Sequence, residues 1–108
     1  MIYEMRVYHA MPGRMPALLA RFQNHTLRIW ERFGFRQAGF WTTLVGQSSA
    51  DLTYMLAWES AGECQQKWAA FMADAEWKQV RAESEKDGPL LSGITNQLLV
   101  PTVFSVVK

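Results

Sequence analysis

The chain has 108 residues, a formal charge of +1, 49% apolar residues and a single cysteine, which bounds it to one domain with one core. A near-neutral balance without like-charge runs gives no field for nucleic acid or acidic lipid. Lone Cys64 leaves no intrachain disulfide or cysteine metal cage, and no segment approaches the roughly 18 apolar residues of a membrane span.

Residues 2–9 alternate Tyr3, Met5 and Val7 against Ile2, Glu4, Arg6 and Tyr8, which is strand periodicity. They follow Met1 with no basic leader or long apolar run, so a soluble, cytoplasmic protein is expected. Pro12-Gly13 ends the strand. From Met15 the period becomes helical, with Met15, Leu18, Leu19, Phe22, His25, Thr26, Ile29 and Phe33 on the apolar stripe. Pro16 falls in the first turn, where a missing N–H is harmless, and Gly34 supplies a left-handed stop.

Two strands near residues 37–45 and 51–58 follow, joined across Gly46-Gln47-Ser48-Ser49-Ala50. Ser60-Ala61-Gly62-Glu63 has capping-box spacing for a helix that carries Cys64, Trp68, Phe71 and Met72. Asp74 is a second N-cap, restarting the helix through Trp77, Val80 and Ser84 until Gly88-Pro89. A last strand is expected over residues 93–100, resuming near 102–106 after Pro101, whose missing donor confines it to a sheet edge.

The order β-α-β-β-α-β makes an antiparallel sheet of strand order 4-1-3-2 with both helices on one face, an α+β ferredoxin-like domain spanning residues 1–108. Its strands carry large apolar groups on both faces. Leu52, Tyr54, Leu56 and Trp58 oppose Thr53, Met55 and Ala57, and Phe40 and Leu44 oppose Trp41 and Val45. A half-buried strand should alternate apolar with polar. The five Trp and six Phe point the same way, since each buried ring covers about 150–250 Å² and a small domain has little interior. A second copy covering the second face, a homodimer, is the simplest account.

Tyr3-Glu4-Met5-Arg6-Val7-Tyr8 followed by Pro12-Gly13, then Gly39-Phe40-Trp41, Asp74-Ala75-Glu76-Trp77, and Asn96 to Thr102 leading to Phe104-Ser105 occur in an order that resembles the NIPSNAP family of the dimeric α/β-barrel superfamily. The resemblance implies a ferredoxin-like protomer whose sheet packs on that of its mate as a homodimeric α/β barrel. It does not supply a reaction, although neighbouring families include cofactor-independent monooxygenases of polycyclic or quinol-type substrates, haem-degrading enzymes and isomerases of small ring acids.

His25, in the apolar stripe between Phe22 and Ile29, is expected to face the sheet and to serve either as general base or as a core histidine with one partner. His9 shares the side of Tyr3, Met5 and Val7, where it joins His25 or sits at the rim. Two histidines without a third ligand argue against a metal site, and no cofactor is called for. Glu4 and Arg6 share a side with Tyr8. They read first as a buried pair fixing the dimer interface, and second as a ligand-binding arginine held by a carboxylate. Tyr3, Trp41, Trp58 and Trp68 offer walls for a small aromatic ligand, with the Asn96 amide for its carbonyl. Cys64, on an apolar face with no histidine partner, reads as packing.

Two functional readings stay open. One is a small cofactor-independent enzyme acting on an aromatic or quinone-type molecule, with His25 as base and Arg6 or Asn96 polarising an oxygen. The other is a non-catalytic ligand-binding or protein-interaction module built from the same residues.

Overall fold

A computed structural model describes all of residues 1–108. It contains β1 (Ile2–Ala10), α1 (Met15–Arg21), a π-helical turn (Phe22–Thr26), α2 (Leu27–Phe33), β2 (Arg36–Thr42), β3 (Asp51–Trp58), α3 (Ala61–Met72), α4 (Ala75–Ser84) and β4 (Leu91–Leu99). The four strands form one antiparallel sheet in the order β2-β3-β1-β4, the α+β ferredoxin-like arrangement that the chain order dictates. β4 is an edge strand and stops before Pro101, as the ring requires.

The helix boundaries have local causes. Ser60 Oγ accepts from the Glu63 amide at 3.1 Å, while Glu63 Oε1 accepts from the Glu59 amide at 2.9 Å. The capping box is therefore reciprocal but reaches one residue further out than its usual form. Asp74 Oδ2 accepts from the Trp77 amide at 2.9 Å and starts α4. Gly34 closes α2 with φ of 75°, a left-handed geometry that costs glycine little.

Two expected strand extents are corrected. The strand expected over 37–45 ends at Thr42, so Leu44 and Val45 stand in the loop, 97% and 91% exposed. No strand resumes over 102–106, where Thr102 and Ser105 instead close a backbone turn. β-Branched residues alone do not make a strand without a neighbouring edge to pair with.

Register decides which residues face the helices. Glu4, Arg6 and Tyr8 of β1 stand opposite Leu56, Tyr54 and Leu52 of β3, and this set packs under the helices with Leu18, Phe22, Ile29, Trp30 and Phe71. Leu52, Tyr54, Leu56 and Trp58 are all buried, each contributing about 1.5–3 kcal/mol of apolar burial. The other face carries Tyr3, Met5, Val7 and His9 beside Thr53, Met55 and Ala57, flanked by Trp41 on β2 and Thr95, Gln97 and Leu99 on β4. No element of the chain packs over it. The expectation that Glu4, Arg6 and Tyr8 sit on this bare face is corrected. The strand period assigned them correctly to one side, but that side is the core.

Candidate functional site

The inward face of β1 is where the polar groups gather. Glu4 is 2% exposed, yet its two oxygens are fully occupied. Oε1 accepts from Trp68 Nε1 at 2.7 Å, Trp58 Nε1 at 3.1 Å and Cys64 Sγ at 3.5 Å. Oε2 accepts from Arg6 Nη1 at 2.9 Å and Asn96 Nδ2 at 3.1 Å. Burial pushes the Glu4 carboxyl up, but the bonds from Trp68, Arg6 and Asn96 outweigh it and hold its pKa below the ordinary carboxylate value. Burial, with the same carboxylate adding to it, pushes the Cys64 thiol up to about 12, so that it stays protonated and donates.

Arg6 is held on three sides. Nη1 meets Glu4, Nε donates to Tyr54 Oη at 2.9 Å, and Cζ lies 4.2 Å from the centre of the Trp68 ring, within cation–π reach. Burial alone would weaken the charge on Arg6, but Tyr54, Tyr8 and Glu4 outweigh it and keep its pKa above the ordinary arginine value. Its Nη2 makes no hydrogen bond within the protein. Arg6 thus offers one free amine on a guanidinium that cannot swing away, the arrangement a ligand oxygen would meet.

A cavity of about 370 Å³ opens beside it, between β1 and β4 below and α3 and α4 above, lined by Arg6, Tyr8, Arg21, Phe71, Trp77 and Ile94 among others. Its volume suits a small ligand. Arg81 and Glu85 also border it, with Glu85 Oε2 accepting from Arg21 Nη1 and Arg81 Nε, both at 3.3 Å.

The residues anticipated as one pocket are divided by the sheet. Arg6 borders the cavity, Tyr8 lines it, and Trp68 with fully buried Trp58 and the Asn96 amide hold its support. Tyr3, His9 and Trp41 lie on the bare face. Tyr3 Oη donates to the Lys108 carbonyl at 2.8 Å, and His9 has Nδ1 2.7 Å from Asp51 Oδ1 and Nε2 2.8 Å from Thr95 Oγ1, so both ring nitrogens are engaged.

His25 also departs from its expected position. It is exposed and borders a separate groove of about 810 Å³ between α1, the π turn and α4, on the solvent side of the helices. The π turn is the cause. Leu27 N–H bonds the Phe22 carbonyl five residues back, so the turn absorbs an extra residue and the apolar stripe slips. Thr26 takes the inward place, its Oγ1 donating to the Arg21 carbonyl at 3.3 Å, and His25 rotates out. Neither His25 nor His9 meets the other. Arg21, Trp77, Arg81 and Glu85 were not anticipated in the site. The available signals were Arg21 beside Phe22 on the helix stripe and the helical i, i+4 spacing of Arg81 and Glu85, each too common to stand out.

A family model described as NIPSNAP matches residues 3–106. The chain belongs to the NIPSNAP family. Among solved structures it is similar to a NIPSNAP domain protein from Burkholderia xenovorans, with 25% identity, TM-score 0.83, and 97% of this chain and 98% of that one covered. A NIPSNAP family protein from Agrobacterium tumefaciens shares 21% identity at TM-score 0.87, covering 99% and 98% of the two chains. The NIPSNAP chain is also similar in fold to a monooxygenase from Streptomyces coelicolor crystallised with the ligand nanaomycin D, at 15% identity and TM-score 0.65, covering 99% and 92%. Comparison with curated proteins gave no match.

Proposed function

We propose that this NIPSNAP protein acts on a flat aromatic or quinone-type small molecule in the cavity between the β1–β4 edge and α3–α4, with Arg6 binding the ligand's oxygen. The observation that carries this reading is Arg6 itself. Its guanidinium is pinned by Glu4, Tyr54 and Trp68, and its unpaired Nη2 belongs to a side chain bordering a cavity walled by Tyr8, Phe71 and Trp77. A preorganised cation stabilises an enolate or phenolate as charge develops on its oxygen, without reorganising at that moment. The fold likeness to a ligand-bound monooxygenase supports the same direction.

The reaction that fits is cofactor-independent oxygenation. An anthrone-type substrate loses a proton to give an enolate held by Arg6. Dioxygen adds to the carbanionic carbon, one oxygen stays as the new carbonyl, and the other departs as water with the two hydrogens of the original CH2. Glu85 is already committed to Arg21 and Arg81, so the substrate must be acidic in its own right. Oxygen uptake with anthrone, yielding anthraquinone, measures this. Arg6→Met should lower kcat/KM by about 100-fold; an unchanged value would remove Arg6 from the chemistry.

The alternative, a non-catalytic binding module, is favoured by one observation, the position of His25 outside this cavity. Binding of aromatic probes at Arg6 with no oxygen uptake from any of them would select it. In either case a second copy covers the bare face. Met5, Val7 and Met55 are half-buried on that face and adjoin exposed Leu99 and Trp41, an apolar surface of the kind a second copy would cover.

A further inference from the structure

On the bare face of the sheet, side chains from three strands are joined in line. His9 of β1 stands directly opposite Asp51 of β3 and Gly93 of β4, and Thr95 follows two residues on, on the same face of β4. His9 Nδ1 is 2.7 Å from Asp51 Oδ1, and His9 Nε2 is 2.8 Å from Thr95 Oγ1. None of the three lines the cavity under the helices.

The chemistry of the partners fixes where the protons are. A carboxylate only accepts, so His9 Nδ1 carries a proton and donates to Asp51. In the neutral ring Nε2 is then the acceptor, and the Thr95 hydroxyl donates to it. Carboxylate, imidazole and hydroxyl stand in the order that activates a nucleophile, with the base in reach of the hydroxyl and itself oriented by a third group. The cross-strand pair of His9 and Asp51 already serves the register. Thr95 adds the group that can be acylated.

Access agrees. Thr95 is exposed, and His9 and Asp51 are half-buried. A Cβ at Gly93 would stand 3.9 Å from His9 Cδ2, so the flank of the ring next to Nε2 faces a residue without a side chain. β4 is an edge strand, Asp51 begins β3, and His9 is the last β1 residue on this face. The group therefore lies toward a corner of the sheet rather than at its Met5 centre.

We propose that Thr95, His9 and Asp51 form a second reactive site, an acyl-transfer centre that cleaves small aryl esters. Thr95 Oγ1 attacks the ester carbonyl carbon as its proton passes to His9 Nε2, and Asp51 stabilises the imidazolium. The bond to the aryl oxygen then breaks, and the imidazolium proton goes to the departing aryloxide. Water hydrolyses the acyl-threonine by the same route, releasing the acid and restoring the hydroxyl. An open sheet face does little to steady an oxyanion, so an ester whose alcohol leaves readily is the class that fits. Val7, directly opposite Thr95, gives the acyl group an apolar flank.

The test is p-nitrophenolate release from p-nitrophenyl acetate by the whole protein, with peptide mass mapping of the acetylated residue after brief exposure. Thr95→Val keeps the branched shape and removes the hydroxyl; it and His9→Gln should each lower the rate at least tenfold, and Asp51→Asn should act in the same direction. His25→Ala, which removes the other histidine of the chain, should leave the rate unchanged. Mapping should find the acetyl group on Thr95, and it needs no variant to fold. A rate that survives Thr95→Val, or acetylation confined to lysines, overturns the proposal. Loss with His9→Gln but not with Thr95→Val would make the imidazole the nucleophile and overturn the role of Thr95.

Discussion

The two faces of β1 invert the usual order of a protein. Its core-facing side carries Glu4 and Arg6, and its uncovered side carries Met5 and Val7. A charged pair turned inward survives because every lone pair is met. Five donors reach the Glu4 carboxylate, and the low dielectric that would penalise an unpaired group strengthens each of these bonds. The contrast separates two roles along one strand: the inward residues fix a guanidinium beside a cavity, and the outward residues form the surface on which the proposed second copy would sit.

The largest effect expected on this division comes from Glu4→Gln, which leaves Arg6 buried without a counter-charge. Urea unfolding should show a loss of about 3 kcal/mol; a loss under 1 kcal/mol would mean the network is incidental to the fold. The wild type carries the matching pH signature. The folded-state pKa of Glu4 lies below its ordinary value of 4.5, so its contribution is fully present above that value. It is lost as acidification passes through the lower folded-state pKa. Glu4→Gln should flatten this part of the profile.

On the opposite face, Met5→Lys should leave the protomer folded but weaken self-association at least 100-fold, about 2.7 kcal/mol. Sedimentation equilibrium measures it, and a dimer untouched by a lysine at the centre of the sheet would place the interface elsewhere. Gly39→Ala is a smaller perturbation. Gly39 has φ of 138°, and an added Cβ would stand 2.6 Å from Trp41 Cη2, so thermal melting should report about 1–2 kcal/mol of strain. Least of all, His25→Ala should change stability by under about 0.5 kcal/mol, because the ring is exposed on the outer groove. A large loss there would mean that His25 makes a contact the groove does not reveal.

Legibility followed the length scale of each signal. The turn signals and the caps at Ser60 and Asp74 are local; they marked the helix starts, and the resulting β-α-β-β-α-β order led to the strand order. The pairing of Glu4 with Arg6 was readable from their i, i+2 spacing on a strand. Which way that side faced was not, because both sets of β1 residues include large apolar groups and only the register with β3 breaks the tie. His25 was misplaced for a different reason. A regular 3.6-residue period keeps it near the apolar stripe, and nothing in Phe22 to Thr26 announces a π turn. The cavity wall of Arg21, Trp77 and Glu85 joins residues more than 50 positions apart, from helices whose relative packing no local pattern specifies.

Five tryptophans make the central claim, that ligands bind on the helix-covered side of the sheet, directly measurable. Indole N–H resonances followed by heteronuclear NMR during titration with 2-naphthol should shift for Trp77 in the cavity and Trp68 beneath Arg6, while Trp41 on the bare face stays in place. A titration that moves Trp41 and leaves Trp77 and Trp68 unchanged would contradict the account.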